Sequence, residues 1–233
     1  MIRKNNLNNH FYRHDYEKVY SDIRIRYLLR QVHKKLEKPF LNKKKLEILE
    51  VGAGHGQHFA LTKLKTKRYV ELDIQEFENL DINNLKSIQN GRIRTIGNAK
   101  TLKEFKANEF DGIIATCLLA HLSDMELALK NWRRVVRNDG LITVYVPCEP
   151  GILLRLARFF TTKKWISNLG YNHSNVHWTE HRNHFLGMRT AISRVFNSDL
   201  VEEKKFPFSY FIWDLNLYSI FIIQVLKDKS IDQ

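Results

Sequence analysis

Glu50-Val51-Gly52-Ala53-Gly54-His55-Gly56 is the stretch whose reading decides the fold, because of what stands on either side of it. Upstream, Leu46-Glu47-Ile48-Leu49-Glu50-Val51 is a short apolar run that reads as a buried strand. Downstream, the spacing predicts a helix over 57–65 with Phe59, Leu61 and Leu64 turned inward. A glycine-rich turn from strand to helix lets the backbone pass close to a ligand and aims helix N–H groups at it. Such a turn alone is a weak signal. Here a partner follows in order: Arg68-Tyr69-Val70-Glu71-Leu72-Asp73 reads as a second strand ending in an acid. It lies about 20 residues on, where a nucleotide-binding α/β fold places its ribose-binding carboxylate.

Working outward, strands are expected near 46–51, 68–73, 92–96, 110–116 and 140–146, with helices near 57–65, 76–88, 100–106 and 124–137. Asn138-Asp139-Gly140 reads as the turn into the fifth strand. This alternation implies a parallel sheet covered on both faces. Ahead of it, residues 10–38 form an amphipathic helical lead-in that Pro39 closes. Residues 148–185 break the rhythm and read as an inserted cap rich in Arg, His, Trp, Tyr and Asn. A helix near 186–196 follows, then strand-like runs near 199–206 and 217–226 that suggest an antiparallel pair at the sheet's end.

At 233 residues, 43% hydrophobic and 27% charged, the chain suits one globular domain: a lead-in over 1–43, a core over 44–147, the cap over 148–185 and a C-terminal part over 186–233. Cys117 and Cys148 cannot by themselves make a disulfide framework or a zinc site, so a reducing cytoplasm is the expected compartment. The polar, basic N-terminus does not read as a signal peptide. The apolar stretch 210–226 is interrupted by Asp214 and Asn216 and reads as sheet, not as a membrane span. Net charge is +13, but the lysines fall in scattered short groups, as on solvated faces rather than one nucleic-acid stripe.

With these residues in hand, the chain resembles the class I S-adenosylmethionine-dependent methyltransferases over roughly residues 44–147, closest to the branch with the methyltransferase type 11 domain. The resemblance implies a Rossmann-like, doubly wound α/β fold: a mostly parallel seven-stranded sheet with an antiparallel strand at one end. It also implies S-adenosyl-L-methionine as cofactor. Glu50, Gly52, Ala53, Gly54 and Gly56 match the loop under its methionine part, and Asp73 the acid that binds the ribose hydroxyls. Gly97-Asn98-Ala99 stands where the family has Gly-Asp-Ala, so Asn98 would face the adenine amino group through its side-chain oxygen, with Ala99 beside it and Thr116, at the end of the fourth strand, as further cofactor-binding residues. The residues agree, since His55 and Gln57 crowd the loop and suit an amino-acid tail better than a pyrophosphate.

His121 follows the fourth strand at the carboxyl edge, where a neutral imidazole could take a proton as a methyl group arrives, or could serve as a packing residue. The cysteines end strands four and five, where RNA cytosine methyltransferases carry theirs, but their flanking pattern differs; they read as buried and unreactive. In the insert, Tyr171, His177, Trp178, His181 and Arg182 are the acceptor-binding candidates, without metal-ligand spacing. The helix expected from Ile152 to Phe160 is basic and amphipathic; it either covers the core or makes a peripheral membrane contact. The insert, including its Glu180-His181-Arg182-Asn183-His184-Phe185 run, resembles bacterial methyltransferases found with cell-surface polysaccharide genes. That resemblance implies methylation of an oxygen or nitrogen on a small-molecule or lipid-linked glycan acceptor, in the cytoplasm. An RNA methyltransferase and a catalytically silent cofactor-binding regulatory subunit are the alternatives.

Overall fold

The central sheet has the order β3-β2-β1-β4-β5-β7-β6, and the chain reaches both sides of β1 by crossing over. The computed structural model describes residues 23–74, 91–172 and 181–227. The helix expected over 76–88, the lead-in before residue 23 and the candidates His177 and Trp178 lie outside the described residues. The strands are β1 (Leu46–Val51), β2 (Thr66–Asp73), β3 (Arg92–Ile96), β4 (Phe110–Ala115), β5 (Val136–Pro147), β6 (Leu200–Phe206) and β7 (Tyr218–Gln224). β1 to β5 run parallel, and β7 runs antiparallel between β5 and the edge strand β6. This is the Rossmann-like, seven-stranded, mostly parallel arrangement expected from the sequence.

Because helices pack on both faces, β1 and β4 bury residues of both parities, and the alternation sorts them into two cores. Leu49, Val51, Ile113 and Ala115 face α3 (Met125–Val135) and α6 (Phe185–Val195), around the fully buried Trp132. Ile48, Tyr69 and Ile114 face α1 (Ile23–Glu37), with Val32, Leu36 and Phe40. Pro39 ends α1 in a short 3-10 turn, Lys38–Phe40. There Phe40 lies so close to β4 that a Cβ on Gly112 would stand 2.3 Å from its ring. Only glycine fits that crossing.

α3 begins at Asp124, whose carboxylate accepts from the Leu127 N–H at 2.9 Å. It ends in Arg133, which reaches Asp199 at 2.7 Å and the Leu226 carbonyl at 2.8 Å, pinning the helix to the sheet's far side. Two local expectations change. No helix forms over 100–106: Asn98 Oδ1 accepts from Lys100 N–H at 2.9 Å in a turn, and Leu102 adopts φ +44°. The Arg134 guanidinium instead donates to the Leu102 and Phe105 carbonyls. Asn138-Asp139-Gly140 does not precede β5 but lies within it: Val136 pairs with Phe110, Leu141 with Gly112, and the residues between bulge out with Asp139 at φ +59°.

Within the expected cap the chain is continuously helical from 152 to 168: α4 (Ile152–Arg158), a π-turn over Phe159–Lys163, and α5 (Lys164–Asn168). It starts at the carboxyl end of β5, on the edge of the sheet to which the glycine loop also belongs.

Candidate active site

At the carboxyl end of β1 the chain turns through three glycines at φ +71°, +52° and +78° (Gly52, Gly54, Gly56), a path that side-chain-bearing residues rarely take. The Gly52 and Ala53 N–H groups donate to the Leu72 carbonyl at 2.8 and 3.1 Å, strapping the loop to β2. Gly54 N–H donates to Asp73 Oδ2 at 2.8 Å. Each glycine has its own reason. A Cβ on Gly52 would press on Leu118 at 2.9 Å, and one on Gly56 would meet the Glu71 and Arg94 side chains at 2.5 and 2.3 Å. At Gly54 a Cβ would meet nothing within 4 Å. The loop backbone is therefore open to a ligand at Gly54, with a carboxylate beside it.

The short helix α2 (Gln57–Leu61) leaves this loop, ending earlier than expected because Thr62 is already extended. It buries His58, which sequence reasoning missed, against the floor of the loop. There Glu50 is only 2% exposed and its carboxylate accepts from the Tyr69 hydroxyl at 2.8 Å. Burial pushes its pKa up to about 7, against the opposing pull of His58 and Tyr69. His58 lies 3.3 Å from Glu37 and 2.6 Å, Nδ1 to Nδ1, from His33. Burial works against charge on His58, but Glu37 and Glu50 prevail and raise its pKa. His33 goes the other way, to about 3, by burial and then by His58. His58 thus donates its Nδ1 proton to a neutral His33. Beside them the buried Glu71 is held by Arg92 and Arg94, at 2.5 and 3.0 Å. Glu50 therefore lies beneath the loop, within a charged floor, rather than at the cleft surface.

Around the rim stand the other expected cofactor residues. Asn98 is half-buried, its Oδ1 holding the turn to Lys100, and the Ala99 carbonyl accepts from Trp132 Nε1 at 2.8 Å. Thr116 Oγ1 is buried without a hydrogen-bond partner among the described residues. Next to it Cys117 takes φ +55°, a strained conformation of the kind that gathers at functional edges. Burial pushes the thiols of Cys117 and Cys148 up to about 12, so neither is a thiolate nucleophile near neutrality. An open glycine cradle, an adjacent carboxylate and a buried hydroxyl without a described partner fit a nucleoside carrying an amino-acid tail.

Beyond β4 and β5 the structure joins residues that stand far apart in the sequence. His121 ends a 3-10 turn, Leu119–His121. Its ring meets that of His181 edge-on, centroids 4.8 Å apart at 86°. His181 Nδ1 is hydrogen-bonded to Glu149, whose other oxygen accepts from Arg158 of α4. Burial would raise the Glu149 pKa, but His181 and Arg158 overcome it and hold this carboxyl well below the usual range. Asn183 stitches the segment in place, its Nδ2 donating to the Leu119 and Leu122 carbonyls at 3.0 and 2.6 Å. The sequence gives Glu149 and Asn183 no role: Glu149 reads as part of the turn after the fifth strand, and Asn183 only as a member of the 180–185 run. Arg182 is exposed, with its N–H donated to the Ala120 carbonyl. Tyr171 follows α5, its N–H donated to the Ile166 carbonyl at 3.2 Å. Among the described residues no group of three His, Cys, Asp or Glu side chains is placed to hold a metal ion.

Residues 49–144 match the family described as "Methyltransferase domain". No curated protein sequence matches the chain. Among solved structures, a possible histamine N-methyltransferase from Thermotoga maritima, S-adenosylmethionine-dependent, is 15% identical with TM-score 0.61, over 93% of this chain and 98% of that one. A putative sarcosine dimethylglycine methyltransferase from Galdieria sulphuraria is 12% identical with TM-score 0.61, over 87% and 88%. The (4+2)-cyclase SpnF is 11% identical with TM-score 0.60, over 84% and 80%. At these identities the likeness is one of fold.

Proposed function

We propose, for a chain that belongs to the class I S-adenosylmethionine-dependent methyltransferases and takes S-adenosylmethionine as cofactor, a specific division of labour at the carboxyl edge of its sheet. The core over 44–147 holds the cofactor. Gly52, Ala53, Gly54 and Gly56 would carry its amino-acid end, Asp73 its ribose, and Asn98, Ala99 and Thr116 its adenine side, while Glu50 supports the loop from below. When bound, the cofactor supplies an electrophilic methyl group on a sulfonium. The cap over 148–185 selects the acceptor, a small or lipid-linked molecule methylated on oxygen or nitrogen in the cytoplasm; a surface glycan is the acceptor class we favour.

The observation that carries this reading is the His121–His181–Glu149 cluster at the carboxyl edge of the sheet that also carries the glycine loop. Glu149, held ionised, is bonded to His181 at Nδ1 and sets the orientation of the imidazole that would take the acceptor's proton as its oxygen or nitrogen is methylated. His121 packs against the same ring and orients it. Most of the acceleration then comes from in-line positioning of acceptor and cofactor.

The experiment incubates the protein with methyl-labelled cofactor and fractionated cell extract, then identifies the labelled molecule. Labelling of one acceptor, slowed by about 10²–10⁴ in His181→Ala with cofactor affinity unchanged, is the expected result. Equal losses of stability and cofactor affinity would make the histidine pair structural. Label in bulk RNA would favour the nucleic-acid alternative instead.

A further inference from the structure

The cap helix turns one face to the core and leaves another, equally apolar, in solvent. On the inner side Leu154 and Ile166 are buried and Arg158 reaches Glu149. On the outer side Ile152, Leu156, Phe159 and Phe160 recur at i, i+4, i+7 and i+8, the spacing of one helical face, and Phe160 is 69% exposed. A second apolar group stands beside it. The turn between β6 and β7 exposes Phe208, Phe211 and Ile212, and leaves Tyr210 100% exposed. The two are fastened together, since Asp214 Oδ1 accepts from the Ile152 N–H at 3.1 Å.

The charge around this ridge is mostly positive, with Asp214, taken up by the Ile152 N–H, the acid beside it. Residues 152–168 contain Arg155, Arg158, Lys163 and Lys164 and no acid, and 206–213 contain no charge at all. Arg155 and Lys163 are exposed, with Lys163 Nζ 4.8 Å from the centre of the Phe159 ring. Among the described residues no helix is long and apolar enough to cross a membrane. An exposed apolar patch of this kind marks an interaction site. Rimmed by cations, and built of aliphatic and aromatic residues on a helix, it has the chemistry of a segment lying in the plane of an interface.

We propose that the outer face of the 152–168 run, together with the 208–212 turn, docks on an anionic lipid bilayer. Apolar side chains would enter the headgroup boundary while Arg155 and Lys163 meet anionic headgroups, each cation adding about fivefold to partitioning. Because Arg158 ties the inner face of the same helix to Glu149, docking would set the His181 cluster at the membrane surface. That last step rests on the acceptor reading above and makes the lipid-linked acceptor its preferred form.

The test is flotation of the intact protein with vesicles of phosphatidylcholine alone, or with about one third phosphatidylglycerol, at low and high salt. Binding is expected to the anionic vesicles and to weaken with salt. Phe159→Ser with Phe160→Ser, and separately Tyr210→Ser with Ile212→Ser, should each lower partitioning at least tenfold. Arg155→Gln with Lys163→Gln should lower it by about 25-fold on anionic vesicles only. The two apolar variants sit on separate elements, so loss of folding in one, read by melting temperature, leaves the other informative. No binding to anionic vesicles overturns the proposal. So does binding that survives both apolar variants, or a ridge that instead mediates self-association or binds RNA. Methylation that proceeds in a protein indifferent to vesicles would remove docking and leave the transfer reading; docking without turnover would do the reverse.

Discussion

Glu50 lies where its charge is costly. A carboxyl whose pKa is higher in the folded chain than in the unfolded one stabilises the fold while protonated. Its contribution is full below about pH 4.5 and is lost as pH rises through about 7, of order 3 kcal/mol. Glu50→Gln keeps the hydrogen bond to Tyr69 without the charge. We therefore expect the wild-type melting temperature to fall between pH 5 and pH 8, and the variant to fall less and to be the more stable at pH 8. Parallel curves for the two proteins would show that this carboxyl does not titrate in the floor of the loop. Glu149 behaves oppositely: its lowered pKa stabilises above the ordinary carboxylate range, and that stability is lost on acidification.

At the scale of elements, the last residues of the cap work as a clip. Asn183 spans the Leu119 and Leu122 carbonyls, and Phe185 N–H donates to the Glu149 carbonyl at 2.8 Å, so α6 begins with His181 already set. Asn183→Ala removes the clip and strands buried acceptors, a loss of about 1–3 kcal/mol. Turnover should fall more than ten-fold while cofactor affinity stays within a few-fold, a split that combined kinetics and calorimetry would read. Unchanged turnover would detach the clip from the chemistry.

The same scale shows what a sequence reveals. β1, β3 and α3 were legible because their period and caps are local: the Leu46–Val51 run, and Asp124 with the Trp132 spacing. The turns near 98–105 were not, because their decisive partner, Arg134, is distant in sequence. Nor was the bulge in β5, which only pairing with β4 defines. In the site, the glycine loop and Asp73 were visible as a motif. The charged floor was hidden, since His58, Glu71 and His33 look like ordinary polar residues until three elements converge on them.

For the whole molecule, the seven strands present one edge where loop, cap and clip converge. The division of labour along the chain predicts separable defects. Trp178→Ala with Arg182→Ala, both in the segment we assign to the acceptor, should abolish methylation yet leave cofactor affinity within a few-fold. Methylation at wild-type efficiency would move the acceptor pocket elsewhere on the edge. The net charge of +13 raises encounter rates with any anionic partner without selecting one, and in our proposal selection falls to the cap.

The central claim is that the cofactor lies over Gly54 with Asp73 on its ribose, and calorimetric titration of S-adenosylmethionine tests it most directly. Wild-type protein should bind in the micromolar range, about 8 kcal/mol. Asp73→Ala should weaken binding by about 1.5–3 kcal/mol for each ribose hydrogen bond lost. Gly54→Val should weaken it further, because a branched side chain is strained at φ +52° and fills the space left open above the loop. Wild-type affinity retained in both variants would contradict the account.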